Sequence, residues 1–186
     1  MKKLSQFFSI IFLTLIACQP NDKPKEEDNL KAKADSIATH DSIYNELKKI
    51  VEQEKNEDAD KIASSIFIIK YFTSRPNSAG GVDANIIWKN KSDKTIKYAR
   101  FTIAPYNAVE DMVSSEIGNE TDKIVRVTGP IKPGAIYGYD TTWECIWYNS
   151  SITHMQITGI ELEFMDGTII STDNIEKIKR ILPERK

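Results

Sequence analysis

Apolar residues follow two different periods along the chain, and the change comes near Ile62. From there to the C-terminus, short runs alternate apolar and polar residues, and clusters of Gly, Pro, Asn and Asp separate these runs. Such alternation over about four to eight residues is typical of half-buried β-strands. The pattern predicts about seven strands, at residues 65–72, 82–90, 96–103, 124–128, 135–148, 152–164 and 168–171.

Several positions refine this strand pattern. Pro105 ends the third strand, and Gly129-Pro130 with Pro133-Gly134 brackets a turn after the fourth. The phase of the longest strand slips near Thr158-Gly159, which predicts a β-bulge. Asp166-Gly167 predicts a hairpin turn. The first strand is apolar on both faces, so we expect other elements to cover both of them.

Strands at this spacing, with no helix between them, are typical of an antiparallel sandwich. We therefore expect an all-β fold, an immunoglobulin-like antiparallel β-sandwich of about seven strands, with a small barrel as the alternative. Asp173 and Glu176 form a capping box, which predicts a short helix at the C-terminal end of this domain.

A helical period precedes the strands. The segment 30–61 contains no Gly or Pro, and large side chains recur in it every seven residues, at Leu30, Ile37, Tyr44 and Val51. This spacing predicts an amphipathic helix. Two interpretations stay open: the helix lies on its own domain or frays in solvent, or it is a stalk that pairs with a partner.

The N-terminal segment has the layout of a secretory signal. Lys2 and Lys3 precede an apolar run from Leu4 to Ile16, which is shorter than the roughly 20 residues that span a bilayer. The residues Leu15-Ile16-Ala17-Cys18 resemble the lipobox of bacterial lipoproteins. The resemblance implies cleavage before Cys18 and diacylation of its sulfur, often followed by acylation of the new amino group. A plain secretory signal with an incidental cysteine is the alternative.

A lipid on Cys18 makes the membrane the first expected partner, because two or more acyl chains anchor a protein durably. Gln19 stands where inner-membrane lipoproteins of the enteric pattern carry Asp, so we expect the outer rather than the inner membrane of a bacterial cell envelope. The expected organisation is a signal peptide at 1–17, a flexible tether at 18–29, a helical stalk at 30–61, the sandwich at 62–173 and a C-terminal helix and tail at 174–186.

Four blocks between residues 80 and 171 carry a further resemblance. They are Phe101 to Asp111, Thr128 to Gly134, Trp143 with Trp147-Tyr148-Asn149, and Ile160 to Leu162 continuing to Asp166-Gly167-Thr168. Together they resemble a bacterial domain family of unknown function that occurs in secreted and lipid-anchored proteins. Glu110 departs from the pattern, which has glycine there. The resemblance implies an immunoglobulin-like fold and offers no established catalytic residues.

The sequence offers little catalytic chemistry. Neither His40 nor His154 has a Glu or His at ligand spacing, and no zinc, phosphate-loop or Gly-x-Ser-x-Gly motif is present. Cys145 lies between Trp143 and Trp147, and we expect all three on the core face of one strand. Negative charge is concentrated in residues 19–61 and none of the chain is strongly basic, so nucleic acid is not an expected partner. We expect a protein that is not an enzyme, with no catalytic residues, no metal and no cofactor.

Two groups of residues are candidates for contact with sugars or for carrying them. Exposed rings stack on glycans, and the candidates are Tyr106, Tyr137, Tyr139 and Tyr148. Two Asp-Ser-Ile triplets resemble the O-glycosylation triplet of exported Bacteroidota proteins, which implies modification of Ser36 and Ser42; Asp and Ser near a helix start are also ordinary capping residues.

The function that follows is a non-enzymatic, lipid-anchored cell-envelope protein with an immunoglobulin-like binding or structural module. Its expected partner is another envelope protein or a glycan. A glycan-binding lipoprotein that uses exposed tyrosines is the alternative.

Overall fold

The structure, a computed structural model, describes residues 26–183, without the side chains of residues 26–36 and 175. The expected signal peptide, Cys18 and most of the expected tether lie outside the described residues. The elements in chain order are α1 (Glu26–Ser65), β1 (Ile66–Thr73), β2 (Gly81–Asn90), β3 (Ile96–Tyr106), β4 (Lys123–Ile131), β5 (Ile136–Tyr137), β6 (Trp143–Tyr148), β7 (His154–Phe164), β8 (Ile169–Thr172) and α2 (Ile175–Lys179). No helix in the described range is long and apolar enough to cross a membrane.

The strands form two antiparallel sheets. In sheet A, β1 pairs along one edge of β2, while β5 and β6 pair with the other edge at its two ends. In sheet B the order is β4-β3-β7-β8. The predicted mostly β fold with antiparallel sheets is therefore confirmed, and the arrangement is consistent with a β-sandwich.

Side chains from both sheets share one core. Trp88 of β2 and Phe101 of β3 are fully buried, and their rings meet edge to face with centroids 5.6 Å apart. Trp147 of β6 is also fully buried, and its indole N–H donates to the Thr121 carbonyl at 2.9 Å. Aromatic rings bury more apolar surface than any aliphatic side chain, so these three residues fix the centre of the domain.

Residues up to Glu46 and residues from Leu47 onward belong to separate compact units. In the first unit, α1 exposes its described apolar side chains Ile37, Ile43 and Tyr44. The second unit contains the end of α1, both sheets and α2. The helix α1 begins at Glu26, within the expected tether, and continues to Ser65, four residues beyond the predicted end of the helical segment.

The end of α1 belongs to the core of the second unit. Ala59 and Ile62 are buried, and Ile62 lies in the same apolar cluster as the inward side chains of the sheets. The amide of Asn174 donates to Asn56 at 3.2 Å, and Lys177 pairs with Asp60 at 2.6 Å, so α2 is held against α1. Residues 62–65, which the sequence pattern placed in the sandwich segment, form the last turn of α1, and Ile62 there packs into the core.

The first strand is covered on one face only. Ile66 and Ile68 are fully buried, whereas Phe67 is 48% exposed and Phe72 is 41% exposed. The strand also contains a bulge, since Ile68 pairs with Trp88 and Lys70 pairs with Ile87, the next residue back along β2. The expected cover on both faces is therefore wrong for the described residues.

Two of three local predictions for the C-terminal part of the domain are confirmed. The bulge near Thr158-Gly159 is confirmed, because Thr102 pairs with Gly159 while Ile103 pairs with Ile157. The turn at Asp166-Gly167 is also confirmed, with Gly167 at a φ of 85°. The predicted capping box is wrong: the N-cap of α2 is Asn174, whose side-chain oxygen accepts the Lys177 N–H at 3.2 Å, and Asp173 instead pairs with Lys55.

Two prolines lie inside strands that they were expected to end. Pro105 is the second-last residue of β3, beyond the part of β3 that pairs with β4, so its missing N–H interrupts no ladder there. Gly129-Pro130 lies in β4, where three residue steps from Thr128 to Ile131 oppose two steps of β3. A Cβ on Gly129 would lie 2.4 Å from the Ile96 carbonyl, so this bulge requires glycine.

Candidate functional site

The four candidate tyrosines do not form one platform. Tyr148 pairs with Gly81 at one end of β2, and Tyr137 pairs with Trp88 near the other end, seven residues or roughly 24 Å away along the strand. Tyr137 packs against the core, and Tyr106 and Tyr148 are half-buried. Tyr139 is 66% exposed and is the one of the four with a largely free ring.

Tyr106 belongs to a small cluster at the end of β3. Its ring stacks on His154 at 5.6 Å with an interplanar angle of 15°, and the His154 Nε2 lies 3.3 Å from the Glu110 carboxylate. That distance suits an ion pair with a protonated ring, although the angles do not make a hydrogen bond. No sequence pattern indicates this cluster, because the three residues meet only through the pairing of β3 with β7 and the fold of the loop after β3.

Glu110 has a φ of 65°, in the left-handed region that favours glycine. The backbone conformation there is thus one that glycine adopts without strain, and Glu110 adopts it while its carboxylate lies beside His154.

Cys145 lies in an irregular part of β6. Trp147 pairs with Val82 and Trp143 pairs with Ala84, so four residue steps of β6 oppose two of β2, and Cys145 in between has a φ of 47°. Its N–H donates to the Asp83 carboxylate at 2.8 Å. The expectation that Trp143, Cys145 and Trp147 all face the core holds in full only for Trp147, because the bulge breaks the alternation and leaves the other two half-buried.

The Cys145 thiol has polar neighbours. The Asn77 amide donates to its Sγ at 3.7 Å, and a hydrogen bond with Cys145 raises the pKa of the Tyr148 hydroxyl. A Cβ on Gly81 would lie 2.9 Å from the same sulfur, so the backbone of β2 approaches it closely. The thiol is accordingly packed between side chains and backbone, which limits access to it.

The strongest candidate for a binding site is a groove of about 670 Å³ between β4 of sheet B and β6 of sheet A. We call it the edge groove; it is lined by Lys123, Ile124, Val125, Arg126, Thr142, Trp143, Glu144 and Ile146. Among the described strands, β4 pairs only with β3, and β6 pairs only with β2. Both strands therefore border the groove with an edge that has no strand partner. At the end of β6 the Tyr148 N–H donates to the Ser115 hydroxyl and the Tyr148 carbonyl accepts from the Glu116 N–H, so the open part of this edge lies before Tyr148.

The edge groove combines apolar and charged side chains in similar number. Ile124 is 69% exposed, and Trp143 and Ile146 are half-buried beside it. Lys123 is paired with Glu120. Arg126 lies 5.4 Å over the Tyr98 ring and has no acidic partner in the described part of the chain. Unpaired strand edges beside an apolar surface are the features that recognise an extended peptide.

A second, smaller groove of about 260 Å³ lies on the outer face of sheet B. Gly159 contributes no side chain to its floor, and its rim carries two ion pairs, Arg100 with Glu161 and Lys55 with Asp173. Because these charges already neutralise each other, this groove has fewer free charges with which to bind a ligand than the edge groove has.

Ion pairs continue along the same face. Lys97 pairs with Glu163 at 2.7 Å and holds the pKa of that carboxyl below its usual range. Lys94 pairs with Asp166 at 2.7 Å and, with the Thr168 N–H, lowers the pKa of Asp166 strongly. This side of sheet B therefore carries several matched charges, whereas Arg126, exposed on β4, forms no ion pair with an acid in the described residues.

The remaining candidates do not converge on a site. Ser42 is exposed on α1, whereas Cys18 and the Ser36 side chain lie outside what the structure describes. Within the described residues, no group of three or more His, Cys, Asp and Glu side chains is placed to hold a metal ion. No known protein family, curated protein or solved structure matches this chain.

Proposed function

We propose that this chain is a non-enzymatic, lipid-anchored protein of the bacterial cell envelope whose sandwich binds a partner protein. The resemblance of Leu15 to Cys18 to a lipobox supports the anchor, and Gln19 supports the outer membrane. A polar segment with two prolines, Pro20 and Pro24, follows the cysteine in the sequence, and its composition supports the proposed tether.

We further propose that the sandwich is immunoglobulin-like, and the strand order supports this. Let β1, β2, β3, β4, β6, β7 and β8 correspond to strands A, B, C, C′, E, F and G. Sheet A then has the order A-B-E, with β5 as an additional short strand, and sheet B has the order C′-C-F-G. These are orders found in immunoglobulin-like sandwiches, which use the same scaffold for many binding functions.

The single observation that carries the binding proposal is the edge groove. An exposed edge next to an apolar surface is a hazard for aggregation unless something covers it. Ile124, Trp143 and Ile146 provide that surface here, and Arg126 provides an unpaired charge at the rim. The partner is an extended segment of another envelope protein that adds to the edge of β4 or β6 and places an acidic side chain near Arg126.

Replacement of Ile124 tests this proposal. Ile124→Glu puts a charge into the groove and should weaken capture of the partner from envelope extract about tenfold or more, as expected for a central contact. Ile169→Glu is the matched control, because Ile169 is 57% exposed on β8 at the opposite side of sheet B. Equal capture by both variants and the unaltered protein would remove the edge groove from the proposal.

Glycan binding is the second candidate function. The observation that favours it is the exposed ring of Tyr139, two residues after the end of β5. A glycan panel probed with the unaltered protein and with Tyr139→Ala distinguishes the two functions. Binding of a glycan that depends on Tyr139 and not on Ile124 would favour the glycan-binding protein.

A further inference from the structure

The outer face of sheet A has a different character from the matched charges of sheet B. It carries three exposed apolar side chains and two exposed lysines, which we call the lysine-apolar face: Phe67, Lys70, Phe72, Lys89 and Ile136. Phe67, Phe72 and Ile136 are 48%, 41% and 47% exposed. Apolar residues that share one face of a soluble domain mark a contact surface more often than isolated ones do.

The strand register places these side chains together. Phe67 pairs with Lys89, and Lys89 pairs with Ile136, so the three lie in one row across β1, β2 and β5. On β2, Ile86 and Trp88 are fully buried and point toward the core. Lys89 is the next residue after Trp88, so Lys89 and the row that contains it point outward. In the next part of the face, the Lys70 ammonium lies 4.7 Å from the centre of the Phe72 ring.

The charge of this face is not neutralised. Neither Lys70 nor Lys89 forms an ion pair with an acid in residues 37–183. On the other sheet Lys97 and Arg100 do form such pairs, although Arg126 does not. The acid on the outer side of β2 is Asp83, toward the other end of the strand, where the Cys145 N–H donates to it. The face therefore combines exposed apolar groups with uncompensated positive charge.

We infer that the lysine-apolar face docks on an anionic membrane surface. Rings and aliphatic side chains enter the boundary between headgroups and acyl chains, while lysine ammonium groups stay at the level of the phosphates. Each lysine near an anionic bilayer contributes about 1 kcal/mol. This inference rests on the proposed lipid anchor, which keeps the domain near a bilayer.

The part of the chain outside the described structure is compatible with this. Only seven residues separate Cys18 from Glu26, and the eight residue steps between the two span at most roughly 28 Å. A lipid on Cys18 therefore keeps the chain attached to the membrane. Attachment raises the effective concentration of bilayer surface around the protein, so a weak surface contact forms more often than it would without the anchor.

Vesicle sedimentation of the chain from residue 18, carrying Cys18→Ser, tests the face without the anchor. We expect binding to vesicles of phosphatidylcholine with 30% phosphatidylglycerol, little binding to phosphatidylcholine alone, and loss of binding at high salt, because salt screens exposed charges. Lys89→Gln should weaken binding about fivefold, given about 1 kcal/mol for each lysine. Lys132 is an exposed lysine after β4, and its replacement by Gln is the control that should leave binding unchanged.

The apolar contribution has its own pair of variants. Phe67→Ser should weaken vesicle binding, and Ile169→Ser, with a similarly exposed side chain on the outer face of sheet B, should leave it unchanged. Thermal melts show whether each variant is folded. Absence of binding to the anionic vesicles, or equal effects of the two serine variants, would overturn the inference. Capture of a protein through Phe67 without any vesicle binding would also overturn it in favour of a protein partner.

The outcome is separable from the proposed lipid anchor. If the acylated protein is retained in membranes but the Cys18→Ser chain ignores anionic vesicles, the anchor stands and the docking face fails. If the native protein shows no acylation while the soluble chain still binds anionic vesicles through Lys89 and Phe67, the face stands and the lipoprotein proposal fails.

Discussion

Trp88 and Phe101 meet edge to face across the core, one from each sheet, with ring centroids 5.6 Å apart. Phe101 pairs with Val125 on one side and with Ile160 on the other, so it lies in the middle of sheet B. Trp88 also contacts the ring of Tyr137 at 6.4 Å. This aromatic contact ties the two sheets together.

Replacement of Phe101 by Ala should therefore destabilise the domain by about 3–5 kcal/mol, the usual cost of removing a buried ring. Phe67→Ala is the matched control and should cost much less, because Phe67 is 48% exposed. Chemical denaturation of both variants measures the difference. Similar midpoints for the two variants would mean that the Trp88–Phe101 contact does not hold the sheets together.

Gly138 supports the connection between β5 and β6. It has a φ of 106°, and a Cβ there would lie 2.0 Å from the Ile86 carbonyl oxygen, so Gly138→Ala should force the chain away from β2 and lower the melting temperature markedly. Gly134→Ala is the control: its φ is 78°, but a Cβ there meets nothing within 4 Å. The Gly134→Ala control should lower the free energy of unfolding by only about 1 kcal/mol, the cost of holding a residue other than glycine at a positive φ. Equal melting temperatures would contradict the close approach.

The pair Lys94–Asp166 predicts part of the acid response. Because Lys94 and the Thr168 N–H lower the pKa of Asp166 in the folded state, folding favours the ionised carboxyl. The stability from this pair is present above the unfolded pKa of about 4 and is lost as pH falls through the lower folded value. Asp166→Asn should melt below the unaltered protein at pH 7, and the gap should narrow toward pH 2. A gap independent of pH would contradict the pairing.

The sequence pattern predicted the strands of both sheets well, and it predicted the β-bulges that interrupt them less well. Alternating patterns locate β2, β3 and β7 because each strand has one face in the core. The bulge at Thr158 was visible since it shifts that alternation within an otherwise regular strand. The bulge around Cys145 was not, because the aromatic residues on both sides of it conceal the change of phase.

The candidate sites could be predicted only in part. Composition identified Tyr139 as a ring that could be exposed, but no pattern within β4 or within β6 reveals that the two strands border one groove. Trp143 illustrates the same limit: its expected place in the core assumed a regular strand, and it is half-buried at the edge groove. Contacts between distant strands depend on topology, which alternation alone does not specify.

The measurement that tests the central proposal most directly is membrane fractionation of the native protein and Cys18→Ser, with mass spectrometry of the N-terminus. The lipid-anchored protein predicts that the native chain is acylated at Cys18 and is retained in the membrane pellet after a high-salt wash, which removes surface contacts through lysine. Cys18→Ser should lose that retention, while its thermal melt stays that of the native domain because the second compact unit begins only at Leu47. An unacylated Cys18, or a Cys18→Ser variant that stays in the washed pellet with its domain folded, would contradict the proposal.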